Sequence, residues 1–152
     1  MVVDTAVYTL HTAFAAVWAG AVLFVVAAVH PLAMDGDIAP DAYGRVVSTL
    51  QGVTRASAVV LFVTGGYMAG VDYGLGELTT TTRGYLVLAM LGLWLLLAAT
   101  VEVACARAIR GTDRRKIRAP AREPRPLFLV AVVLTVGLLV VAGLVGRPPA
   151  GL

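Results

Sequence analysis

The stretch Tyr8–Pro31, YTLHTAFAAVWAGAVLFVVAAVHP, contains no Asp, Glu, Lys or Arg and is long enough to cross a bilayer as one helix. It carries His11 near one end and His30 near the other, the only two histidines of the chain. At about 1.5 Å rise per residue they stand roughly 28 Å apart, close to the ~30 Å of a hydrocarbon core. Within one chain they cannot share a metal ion or a cofactor. Whatever chemistry they perform belongs to opposite faces of the membrane.

The rest of the chain fits this start. Of its 152 residues 59% are hydrophobic and 14% charged, with a mean hydropathy of +0.88, outside the range of ordinary soluble domains. Four segments are apolar enough to span: residues 5–30, 51–71, 84–109 and 127–146. The expected fold is all-α, an integral membrane four-helix bundle forming a single domain over residues 1–152. The second segment is short, but Asp41–Thr54 before it has helical periodicity and Pro40-Asp41 is a helix-start signal. One long helix with its first turns at the interface is expected there. Asp4 stands where a cleavable signal would have positive charge, so the first stretch reads as a retained span. Cys105, the single cysteine, cannot form an intrachain disulfide.

Orientation follows from the basic residues. Arg107, Arg110, Arg114, Arg115, Lys116, Arg118, Arg122 and Arg125 gather between the third and fourth spans, which predicts that this loop is cytoplasmic and both termini are outside the cell membrane. The loop also accounts for most of the net charge of +3, so nucleic acid is not an expected partner. His11 then belongs to the outer leaflet and His30 to the cytoplasmic boundary. The four-spaced pairs Ala16/Gly20 and Gly66/Gly70 are expected to let helices approach closely.

Several motifs resemble those of a known family. Leu10-His11, then Trp18-Ala19-Gly20, is similar to the L-H-x6-W-x-G-G opening of the copper resistance protein D (CopD) family. Val63-Thr64-Gly65-Gly66-Tyr67 resembles its L-x-V-T-G-x-Y, and Leu78, Thr80, Thr82 and Gly84 resemble its L-x-x-T-x-Y-G. The close, Val145-Gly146-Arg147-Pro148-Pro149, resembles its V-x-T-P-P. The likeness runs from about Leu10 to Pro149 and implies a membrane protein that handles copper. Where the family commonly has a lysine in the third span, this chain has Met90. Many relatives are longer, with this unit as their C-terminal half. The HemJ-type protoporphyrinogen oxidases share the His–x6–Trp opening and a second histidine near the end of the first helix. That resemblance covers less of the chain.

Residues on different helices meet only if they lie at one depth. His11, Met68 and Met90 all fall in the outer leaflet, and an imidazole with two thioethers is a soft donor set that suits Cu(I). The alternatives are that the methionines fill core space, or that His11 and Met90 are axial ligands of a b-type haem. On the inner side His30, Glu102 and Cys105 form a weaker candidate metal set. Glu102, the one acid within a span, is otherwise expected to pair with Arg55, Arg107 or a neighbouring chain. Trp18 lies mid-span and is expected inside the bundle.

No GxSxG, HExxH, CxxC, CxxCH or phosphate-binding glycine loop occurs, so enzymatic activity enters only through a bound haem. The leading expectation is a CopD-like protein that binds or passes Cu(I) across the cell membrane. A haem b protein of electron transfer or porphyrinogen oxidation is the first alternative. The second is a structural subunit of a membrane complex, and a homo-oligomer or complex partner is compatible with each of these readings.

Overall fold

The structure of the protein, a computed structural model, describes residues 2–74, 76–112 and 121–146. The basic residues Arg114, Arg115, Lys116 and Arg118 and the closing Arg147-Pro148-Pro149 lie outside the described residues. The main elements are α1 (Val2–Phe24), a π turn (Val25–Val29), α2 (His30–Asp35), α3 (Pro40–Asp72), a 3₁₀ turn (Glu77–Thr79), α4 (Thr82–Thr112) and α5 (Arg125–Gly146). Four continuous helical stretches, Val2–Asp35, Pro40–Asp72, Thr82–Arg110 and Arg125–Gly146, are long and apolar enough to cross a membrane. Together they form an all-α membrane bundle.

Local chemistry sets the breaks between helices. Pro31 has no N–H, and in an α-helix its ring would press on the carbonyl one turn back. The chain widens just before it, and the His30 N–H bonds to the carbonyl of Val25, five residues earlier. Gly36 ends α2 with φ 84°, a left-handed conformation that glycine adopts without penalty. Extended Ala39, Pro40 in the first turn and Asp41 beside it then start α3. The lead-in and second span are thus one helix, as the Pro40-Asp41 signal predicts. Between α3 and α4 the 3₁₀ turn folds back onto Gly84, where a Cβ would lie 2.4 Å from the Glu77 carbonyl oxygen and 2.5 Å from that of Leu78.

Around the bundle, α1 packs on α3, α3 on α4 and α4 on α5, while α1 and α5 touch more sparingly. Helices α1 and α4 are therefore diagonal. Small side chains, Ala104, Cys105, Ala108, Ala121 and Ala131, are fully buried and let backbones approach where lipid supplies no hydrophobic drive. Large ones such as Phe24, Phe62, Leu95 and Val133 face outward. The expected glycine seams are different. Ala16, Gly20, Gly66 and Gly70 lie on the exposed surface, and a Cβ at any of the three glycines would meet nothing within 4 Å. The close approach of α1 to α3 runs instead through Gly65, on an adjacent face.

Candidate functional site

His11 is half-buried on α1, and its Nδ1 lies 2.8 Å from Thr64 Oγ1 on α3. The Thr64 hydroxyl has one hydrogen, and it donates that to the Val60 carbonyl at 2.6 Å, the back-bond typical of threonine inside a helix. The hydroxyl oxygen must then accept from His11, which assigns the proton to Nδ1 and leaves Nε2 as a bare lone pair. Among the described residues Nε2 makes no hydrogen bond. The ring is also held from the side. A Cβ on Gly65 would lie 3.3 Å from His11 Cε1 and 3.8 Å from Nδ1.

Met68 is half-buried one turn beyond Thr64 on α3 and shares its face. Met90 is half-buried on α4, one turn from Trp94, whose ring stacks with Phe62 of α3 at 5.7 Å. In this antiparallel register Met90 is level with Gly66, so the three expected outer ligands come from one depth. They do not come from one seam, because Met90 sits on the helix diagonal to that of His11.

Beyond His11, toward the connection between α3 and α4, two tyrosine–carboxylate pairs tie α1 to α3. The Tyr67 hydroxyl donates to Asp4 Oδ1 at 2.9 Å, and the Tyr8 hydroxyl donates to Asp72. Toward the other end, Trp18 is buried and its Nε1 donates to Thr54 Oγ1 at 3.0 Å, inside the bundle as expected.

The inner candidates are arranged differently. Glu102 accepts from Arg55 and from Gln51 Nε2 at 2.8 Å, with Arg55 and Glu102 side chains 65% and 38% exposed. Its carboxylate belongs to an ion pair at the α3–α4 surface, the arrangement weighed against metal binding from the sequence. Cys105, one turn on, is fully buried. His30 is buried at the far end, its Nδ1 2.8 Å from the Tyr43 hydroxyl and its ring 4.8 Å from that of Phe128. Tyr43 and Gln51 are about 12 Å apart along α3, so His30 and Glu102 occupy different levels. Among the described residues no three His, Cys, Asp or Glu side chains lie close enough to hold one metal ion. Among the described residues two buried nitrogens lack a hydrogen-bond partner, His30 Nε2 and Trp94 Nε1, a deficit of about 1–3 kcal/mol each.

Four membrane-crossing helices, with one internal histidine at each end of the first, define a small polytopic membrane protein with imidazoles inside its bundle. Residues 42–146 match the family model described as copper resistance protein D, CopD. The chain belongs to that family. The match covers α3, α4 and α5 and begins beyond both histidines; it is to the first of the two families that the motifs resemble. Comparison with curated proteins and with solved structures found no match.

Proposed function

We propose that this member of the CopD family binds Cu(I) in the leaflet of His11 and passes it toward the opposite face. The observation that carries the reading is the spent hydroxyl of Thr64. It fixes the His11 tautomer so that Nε2 is the lone pair, the state in which imidazole ligates a metal while its other nitrogen is held by a second partner. Met68, one turn beyond Thr64 on the same face of α3, supplies a thioether at the same depth, and a thioether binds without losing a proton. Asp4 and Asp72 place two carboxylates at that end of the bundle, and carboxylates attract cations. By the positive-inside rule the basic segment between α4 and α5 is cytoplasmic, which makes the His11 end the outer one.

The test is anaerobic titration of the purified chain with Cu(I) against a chromogenic chelator, together with its absorption spectrum. The reading expects a colourless protein that competes for Cu(I), and loses at least one tight equivalent in His11→Ala. A Soret band, or a His11→Ala protein that binds copper as the parent does, would overturn it.

A further inference from the structure

The second histidine carries an independent inference. His30 is only 2% exposed, and among the described residues its Nε2 has no hydrogen-bond partner. Tyr43 engages the other nitrogen, and Phe128 packs against the ring, so the imidazole is held in place with one nitrogen unused. Its neighbours on α2 settle what surrounds it. His30 and Ala33 are buried and Met34 is packed against the core, whereas Leu32 is exposed. The inward face of α2 is thus His30, Ala33 and Met34, spaced i, i+3 and i+4. A methionine at i+4 leans back toward the N-terminus, over the residue one turn before it. That residue is His30.

We infer that His30 Nε2 and the Met34 thioether form a second site for a soft monovalent cation, Cu(I), at the end of the bundle opposite His11. A water molecule fits this place less well, because an internal water makes about three hydrogen bonds. The buried hydroxyls nearest in sequence on α3 and α5, Thr54 and Thr135, lie two or more turns along the bundle from Tyr43 and Phe128. The other buried residues of this turn and the next are Val25, Val26, Val29 and Ala33. One imidazole and one thioether suit a cuprous ion, which is content with few soft donors. With the ion at Nε2, Nδ1 carries the proton and donates a hydrogen bond to the Tyr43 hydroxyl oxygen, repeating at this end the part that Thr64 plays at the other.

The choice of cation rests on the reading of the protein as a Cu(I) handler, whereas the site rests on His30 alone. The test uses the full chain in nanodiscs, titrated anaerobically with Cu(I) in four forms: parent, His11→Ala, His11→Ala with Met34→Leu, and His11→Ala with His30→Asn. Leucine keeps the packing volume of methionine without sulfur, and asparagine offers an amide near the place of Nδ1 without an Nε2. The parent is expected to bind two equivalents and His11→Ala one. Adding Met34→Leu should weaken the remaining equivalent at least tenfold and remove the sulfur scatterer from its copper X-ray absorption spectrum, and His30→Asn should abolish it. A His11→Ala protein that binds no copper, or whose copper keeps its affinity and sulfur signal after Met34→Leu, overturns the inference. If the His11 reading alone fails, His11→Ala binds as the parent does, and Met34→Leu still weakens one equivalent at least tenfold.

Discussion

Substituting Gly65 by alanine separates a packing effect from a site effect. The new Cβ would lie 3.3 Å from His11 Cε1, inside the 3.5–4.0 Å at which carbon atoms ordinarily meet, so the ring must give by a few tenths of an ångström. The same ring is held by the 2.8 Å contact between Nδ1 and Thr64, and a shift of that size stretches this bond toward the limit of good geometry. Helix propensity works the other way, since alanine in place of a helical glycine gains up to about 1 kcal/mol, against an overpacking cost of about 1–3 kcal/mol. Stability should therefore change by no more than about 2 kcal/mol. Copper affinity should fall by about tenfold, or ~1.4 kcal/mol, because the shift acts on a ligand and on its orienting partner together. Gly66→Ala is the control, as its Cβ meets nothing within 4 Å. Chelator competition measures affinity and a thermal melt in the same detergent measures stability. Equal Cu(I) affinity in Gly65→Ala and Gly66→Ala would refute the argument that Gly65 seats the histidine.

Other expectations follow from single contacts. Thr64→Val keeps the branched shape but removes the acceptor from His11 Nδ1; Cu(I) affinity should drop about 10–100-fold, with Thr64→Ser restoring most of it in the same competition assay. Gly84→Ala drives a Cβ into the backbone of the 3₁₀ turn and should destabilise the protein by about 2 kcal/mol or more, read as a lowered melting temperature. A double-mutant cycle of Trp18→Phe and Thr54→Val should return a coupling of about 1 kcal/mol for their hydrogen bond. Arg125 stands one turn before Phe128, whose ring packs against His30, so Arg125→Gln should tighten Cu(I) binding in the His11→Ala background severalfold, measured by the same titration.

Much of the fold was legible because membrane spans announce themselves by length and apolarity, which depend on composition more than on detail. The helix starting at Pro40 and the burial of Trp18 could both be read from local signals. The site was legible in part. His11 stood out as a histidine within a span, and Thr64-Gly65 stood out as a motif, but nothing in the sequence pairs residues on separate helices. Which neighbour takes Glu102 depends on the rotation of α3 against α4, and that brings Arg55 and Gln51 to its carboxylate. Gly66 and Gly70 show the same limit. Their spacing is that of a packing seam, yet the helix is turned so that Gly65 meets α1. Tyr43 and Met34 gave no signal at all, because their part depends on how α2 is aimed.

That aim is a matter of phase. His30 follows Trp18 by twelve residues, and at 3.6 residues per turn an unbroken α-helix would carry it about 120° away from the tryptophan's side. A π turn holds about one residue more than an α turn, so it sets back everything after it by roughly the 100° that one residue contributes. The widened turn at Val25–Val29 thereby returns His30 to the inside of the bundle, on the side that Trp18 faces. The inward histidine is thus a property of the number of residues in one turn as much as of the residue itself. Chains aligned by identity at this histidine have it pointing the same way only if they share the added residue before the proline.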